Sequence, residues 1–392
     1  MHKRRAYLDH NATTPLRPEA RAAVLAALDH VGAAASVHQE GRGARALVEK
    51  SRHALANLVG LPSSRVVFTS GASEANNMAL SPLWERGSER RPLDWLITST
   101  IEHACVLNGA RFAPDRIIRL PVTADGIADI PRWLETIERL HQAGERPLVS
   151  LMLANNETGA IQPLALLAEA VRQAGGVFHT DAAQAVGKIA IDAAALGADL
   201  LTLSSHKLGG PAGVGALLIT DPALHLADRL IRGGGQEQGW RAGTENIAGI
   251  AGFAAAASAA AQTLDREGAR LAAMRDRLGD TLAALAPTTI FASNVARLPN
   301  TLNLAVRGVA AETALMALDL EGVAVSSGSA CSSGKVRPSH VLAAMGVDEA
   351  LARCALRLSL GWSTEEADIE QASLAWNKAI GAIHRRQEER AA

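Results

Sequence analysis

Leu200-Leu201-Thr202-Leu203, running straight into Ser204-Ser205-His206-Lys207-Leu208-Gly209-Gly210, is a short apolar run that ends in a polar, glycine-rich turn. The same arrangement recurs at Val66-Val67-Phe68, Trp95-Leu96-Ile97, Leu148 to Leu153 and Gly176-Val177-Phe178, with helical patches between. Apolar runs of this length, separated by helical segments, predict buried strands of an α/β domain, a mainly parallel central sheet with helices on both faces. In such sheets ligands gather beyond the carboxyl ends of the strands, so the polar residues after each run are where chemistry should sit. From about Ala254 the pattern turns long and helical. A strand-like Asn300-Thr301-Leu302-Asn303-Leu304, a Ser/Gly loop and closing helices follow. This predicts a second, smaller α+β domain. The expected division gives residues 16–260 to the large domain and residues 1–15 with 261–392 to the small one. No repeat or low-complexity linker marks the boundary.

Composition narrows the function classes. A chain of 392 residues, 48% apolar, has enough material for a sizeable core. Its 39 Lys and Arg against 40 Asp and Glu leave a net charge of −1, so no nucleic acid or anionic membrane surface is expected as a partner. The basic start Met1 to Arg5 does not lead into an apolar leader segment. The stretch Ile250 to Ala261 is mostly alanine and too short to span a bilayer, so it reads as a packed helix. Cys105, Cys331 and Cys354 form neither a disulfide framework nor a zinc spacing. A reducing, cytoplasmic setting is the expectation.

Each strand end carries a candidate. Thr69-Ser70-Gly71-Ala72-Ser73-Glu74 enters a helix, whose free N–H groups and hydroxyls suit a phosphate; the same residues also make an ordinary helix cap. His103, in Glu102-His103-Ala104-Cys105, could stack on a planar cofactor or move protons, or simply be structural. Asn155-Asn156-Glu157 can fix a polar ligand edge, although asparagines also make turns. Asp181, followed by Gln184, could keep the ring nitrogen of pyridoxal phosphate (PLP) protonated, or cap a helix. Lys207, flanked by Ser, His and glycines, sits in approachable backbone, where an amine can form a Schiff base with an aldehyde cofactor; a surface lysine is the alternative. What distinguishes the set is its order, with each element following its own strand.

With these motifs the chain resembles the cysteine desulfurases of the NifS/IscS type, within the PLP-dependent transferases of fold type I (aminotransferase class V). The resemblance runs nearly end to end. It includes Tyr7 to Pro15, Gly233-Gly234-Gly235-Gln236-Glu237, Arg241-Ala242-Gly243-Thr244-Glu245-Asn246, Ser326 to Gly334 and Arg357-Leu358-Ser359-Leu360-Gly361. It implies PLP as cofactor, held by Lys207 through its aldehyde, with His103 against the ring. It further implies Asp181 at the ring nitrogen, Gln184 near the ring hydroxyl and Asn156 as a further cofactor contact. Ala72, Ser73, Ser204 and His206 are implied as the phosphate cradle. Thr244 matches a residue that reaches the phosphate of a neighbouring subunit, which implies a homodimer. Arg357 with Asn11 matches the clamp on the substrate carboxylate, a role that suits a planar guanidinium. One departure stands out. The family commonly has Gly-Asn-Pro-Ser-Ser before a histidine, whereas Gly32-Ala33-Ala34-Ala35-Ser36-Val37-His38 keeps only the ends. Hydrogen bonding and turn rigidity near the site entrance are reduced accordingly.

Cys331 lies in Ser326-Ser327-Gly328-Ser329-Ala330-Cys331-Ser332-Ser333-Gly334, which has no apolar side chain larger than alanine. Such a segment is expected to be exposed and mobile, unlike the settings of Cys354 and Cys105, which read as inert. A thiolate there could attack the sulfur of a bound cysteine and carry it away as a persulfide, with Lys335, Arg337 and His340 as neighbours that could help ionise it. The resemblance thus implies conversion of L-cysteine to L-alanine. The freed Lys207 moves the Cα proton, His103 is a candidate for other proton steps, and Cys331 passes sulfur to an acceptor such as an iron–sulfur scaffold protein. A transient [2Fe-2S] ligation by Cys331 on that scaffold has no support in the sequence alone, and no other metal ligand is expected. The rival readings are a selenocysteine lyase or another class V lyase or aminotransferase, which would not need Cys331, and a catalytically silent binding module on the same fold.

Overall fold

The apolar runs become strands of a seven-stranded sheet in a computed structural model that describes residues 5–62, 65–327 and 338–383. Across the sheet the order is Val66–Thr69, Gly215–Ile219, Leu200–Ser204, Val177–Asp181, Pro147–Ser150, Trp95–Ser99 and Ile117–Leu120. Gly215–Ile219 is antiparallel to both of its neighbours, and every other adjacent pair is parallel. Two strands were not anticipated. Ile117–Leu120 is a partly exposed edge strand with a charged Arg119, and Gly215–Ile219 is hidden behind the glycines that precede it.

Alternation along each strand explains why the runs are apolar throughout. Val66, Phe68, Ile97, Val149 and Leu201 enter one core. Val67, Leu96, Leu148, Val177 and Leu200 enter the core on the opposite face. The first face is covered by helices Gln39–Leu58, Ile130–Gln142 and Ala165–Gln173, the second by helix Ala72–Ala79.

A third core belongs to the smaller half. It gathers around the antiparallel sheet Thr289–Ile290, Thr301–Ala305 and Ala355–Ser359, with helices Ala311–Leu320 and Glu366–Trp376. Ala6 and Leu8, from the chain's start, join this core, and Ala6–Tyr7 pairs in parallel with Val323–Ala324. The stretch expected to be a short packed helix is part of a 39-residue helix, Ile247–Leu285. Its Ile250, Phe253, Ala256 and Ala257 pack in the large half, and its Leu271, Met274, Leu278 and Leu282 in the small one. Length and composition alone would let this helix cross a membrane, but these apolar side chains are buried in protein.

Candidate functional site

The carboxyl ends of five strands open on one cleft of about 660 Å³ between the two halves. Its walls include Ala72, Ser73, His103, Asn156, Asp181, Gln184, Ser204, His206 and Lys207 from the large half, and Asn11 and Arg357 from the small half. Thr244 is not among them. It lines an adjoining cavity of about 250 Å³ with Glu237 and Arg241. Cys331, Lys335 and Arg337 lie outside the described residues.

The antiparallel strand explains how one edge collects so many groups. Leu200–Ser204 ends at the edge, the turn Ser205–Lys207 follows, and the chain returns as Gly215–Ile219, which keeps residues 205–214 there. A Cβ on Gly215 would lie 2.5 Å from the carbonyl carbon of Gly71 and 2.8 Å from Ala72 N, so the close approach of the phosphate-type turn requires glycine. The opening N–H groups of helix Ala72–Ala79 stand at that turn, ahead of the first intrahelical acceptors.

Lys207 donates from Nζ to the carbonyls of Asn11 (2.5 Å) and Ala12 (2.9 Å). Burial, reinforced by the Arg357 charge, lowers its pKa to about 8. Asp181 accepts from Asn76 Nδ2 at 2.7 Å and from Ala183 N at 2.9 Å, which fixes both carboxylate oxygens. His103 caps the short helix Ala104–Leu107, and its Nδ1 accepts the Cys105 N–H at 3.3 Å. In the neutral ring the proton therefore sits on Nε2. Burial also lowers the His103 pKa.

Arg357, itself buried, donates from Nη1 to the Asn156 carbonyl at 3.0 Å and from Nη2 to Asp9 Oδ1 at 2.8 Å. Its Nε is buried with no hydrogen-bond partner among the described residues. Asn11 Nδ2 reaches the same Asn156 carbonyl at 3.2 Å, so the two expected clamp residues meet at one backbone oxygen.

One expectation is corrected. Cys105 is not a core residue: it is part-buried, lines the cleft and has its Sγ 3.0 Å from His103 Nδ1 and 3.1 Å from Asn76 Nδ2. Burial and the nearby Asp181 push its pKa up to about 11, so it stays a thiol. Cys354 is buried as expected, with Sγ toward the Ala350 carbonyl at 3.3 Å. His340 contacts the Glu102 carbonyl through Nε2 at 3.0 Å.

Asn76, Asp9 and Glu102 were missed by sequence reasoning. Glu102 is fully buried. Its Oε1 accepts from Ser99 Oγ and Met152 N, and its Oε2 has no partner among the described residues. Asn76 falls between Ala75 and Met78 on the buried side of its helix, and an asparagine at that spacing was the available signal.

The donor set fits PLP. An amine with backbone oxygens as partners faces the cleft with a fixed carboxylate and a helix-start cradle, and an unpartnered guanidinium N–H remains for a second anion. The family model for aminotransferase class V matches residues 6–372. The chain belongs to that family, in its NifS/IscS branch. This class V protein is 38% identical over 374 residues to an IscS-like cysteine desulfurase of Mycobacterium tuberculosis, covering 94% of each chain. It superposes on a NifS-like protein from Rickettsia africae with a TM-score of 0.84 and 32% identity, covering 96% of this chain and 99% of the other. A structure of SspA in complex with cysteine gives a TM-score of 0.74 and 30% identity, covering 91% and 98%. The class V fold type I architecture is that of the sheet and cleft described above.

Proposed function

We propose that the protein is a PLP-dependent cysteine desulfurase that converts L-cysteine to L-alanine and holds the sulfur on Cys331. The observation that carries this reading is the meeting of Lys207, Asp181 and Arg357 around one cleft in a chain of the NifS/IscS branch. The cysteine bound to the related SspA supports the substrate class.

Bound PLP supplies an aldehyde for amine exchange and an electron sink for the substrate's Cα electrons. Ala72, Ser73, Ser204 and His206, which line the cleft, would hold the phosphate, and Asn156 and Gln184 would hold the ring edge. Asp181, oriented by Asn76 and the Ala183 N–H, would keep the ring nitrogen protonated. His103 would lie against the ring, with the Nε2 proton left by its Nδ1 contact available to it. Arg357 and Asn11 orient the substrate carboxylate, with the Arg357 Nε available to it. Lys207, with its lowered pKa, moves the Cα proton near neutral pH. Cys331 supplies the thiol: the substrate C–S bond breaks, an S–S bond forms on Cys331, and the carbon skeleton leaves as alanine.

In this reading the working unit is a cytoplasmic homodimer. Thr244 of each protomer serves the phosphate in its partner's cleft, in keeping with its position in the adjoining cavity. Sulfur passes from Cys331 to an acceptor protein of iron–sulfur assembly or another thiolation route. Purified protein supplied with L-cysteine and a thiol reductant should release alanine and sulfide in equal amounts. Cys331→Ser should lose that turnover while keeping the visible band of bound PLP, and Lys207→Ala should lose the band. Full activity in Cys331→Ser overturns the assignment in favour of another class V lyase.

A further inference from the structure

Gln184 and Asn11 both line the cleft, and each ends in an amide with an acceptor oxygen and a donor nitrogen. Which end faces the cleft decides what a ligand meets there. Both amide oxygens converge on one amine. Lys188 Nζ lies 2.8 Å from Gln184 Oε1 and 2.9 Å from Asn11 Oδ1. Gln184 Nε2 donates to the Asn11 carbonyl and Asn300 Nδ2 donates to Asn11 Oδ1, so each side chain turns its oxygen toward Lys188.

The rest of the network differs between the two amides. Asn11 is fully committed: Oδ1 also accepts from Asn300 Nδ2 at 3.0 Å, and Nδ2 donates to Thr301 Oγ1 at 2.9 Å and to the Asn156 carbonyl at 3.2 Å. Gln184 Nε2 uses one hydrogen on the Asn11 carbonyl at 3.0 Å and keeps the second out of these contacts. Two N–H groups are all that Lys188 needs for its part. Burial, with Lys207 and Arg357 nearby, pushes its pKa well below the usual lysine value, which removes the objection of an enclosed full charge.

We propose that Lys188 is a positioning residue that locks the Gln184 amide so that it offers an N–H donor to an acceptor oxygen of the ligand in the cleft. The inference rests on the reading that PLP occupies this cleft, where its ring oxygen is the acceptor. Loss of Lys188 leaves the Gln184 amide its Nε2 contact with the Asn11 carbonyl but removes the partner of its oxygen, so the N–H is aimed less firmly at that atom.

The test is a four-way comparison of enzyme stripped of cofactor and titrated back with PLP, read by visible absorption: wild type, Lys188→Met, Gln184→Met and the double variant. Each single substitution should raise the apparent PLP dissociation constant about tenfold, the loss of about 1.4 kcal/mol. Both should move the band maximum in the same direction. The double variant should lie within about threefold of either single one, because the two residues act as one unit. Lys188→Gln, which keeps an N–H donor, should recover part of the loss. If Lys188→Met does not fold, Lys188→Gln takes its place in the same comparison, with a loss of about threefold that vanishes beside Gln184→Met. Independent, multiplying effects overturn the inference, as does an unaltered constant in the Lys188 variant. The absence of any band in wild type would instead overturn the cofactor reading, and the inference with it.

Discussion

Asn76 Nδ2 lies 2.7 Å from Asp181 Oδ2, and this contact ties a fully buried helix residue to a wall of the cleft. A neutral donor to a buried carboxylate is worth about 1.5–3 kcal/mol. Asn76→Ala leaves Asp181 with the Ala183 N–H and should lower turnover on L-cysteine about tenfold, since 1.4 kcal/mol is tenfold. Steady-state kinetics check this, with thermal unfolding as the control, because alanine itself favours the helix. An unchanged rate would mean that the backbone N–H alone orients the carboxylate.

The Lys207 amine should set the pH profile of cofactor uptake. Its pKa is lowered from 10.5 to about 8, chiefly by burial and then by Arg357. The neutral amine is the nucleophile, so the rate at which stripped enzyme takes up PLP should rise with pH to about 8 and level off there. An ordinary lysine would keep gaining beyond pH 9. Arg357→Met removes one lowering charge and should move the midpoint upward, as stopped-flow absorbance would show.

Glu102 carries a stability cost that depends on pH. Burial raises its pKa from 4.5 to about 8. Between those values the folded protein binds a proton that the unfolded chain has lost, so the group's contribution, complete at low pH, fades as pH rises through that window. Glu102→Gln does not titrate. Its stability relative to wild type should therefore increase from pH 5 to pH 8, read as the difference between urea midpoints. A constant difference would show that Glu102 stays ionised.

Arg52 and Glu237 form a buried pair, with Nη1 to Oε2 at 2.7 Å and Nη2 to Oε1 at 3.0 Å. The same Oε2 accepts the Phe68 N–H at 2.8 Å, so the pair ties the loop before Thr244 to the strand that leads into the phosphate-type turn. Glu237→Ala leaves the buried Arg52 guanidinium with only the half-exposed Glu49 and the Val66 carbonyl, and should reduce stability toward the lower end of about 3–5 kcal/mol. Urea unfolding followed by far-UV circular dichroism measures the loss.

The large half was legible because a doubly covered sheet requires short runs that are apolar on both faces, and Val66-Val67-Phe68 or Leu200-Leu201 cannot satisfy that pattern elsewhere. Cleft residues were legible wherever they follow such a run, as Asp181 and Lys207 do. Gly215–Ile219 escaped because its glycines look like loop until the close approach to Gly71 is seen. Asn76, Lys188 and Cys105 escaped for a different reason. Each also depends on a distant neighbour, Asn76 on Cys105 and Asp181, and Lys188 on Asn11, 29 to 177 positions away in the chain, through contacts that local pattern does not encode. The reading of Thr244 comes from the resemblance alone, and its own chain places it in the adjoining cavity instead of the cleft.

The 39-residue helix Ile247–Leu285 is a rod of about 58 Å set into both halves at once. Swinging one half away from the other would mean flexing this spar along its length, a stiff coordinate compared with rotation about a loop. The two walls of the groove are thereby held at a set separation by a single element of secondary structure.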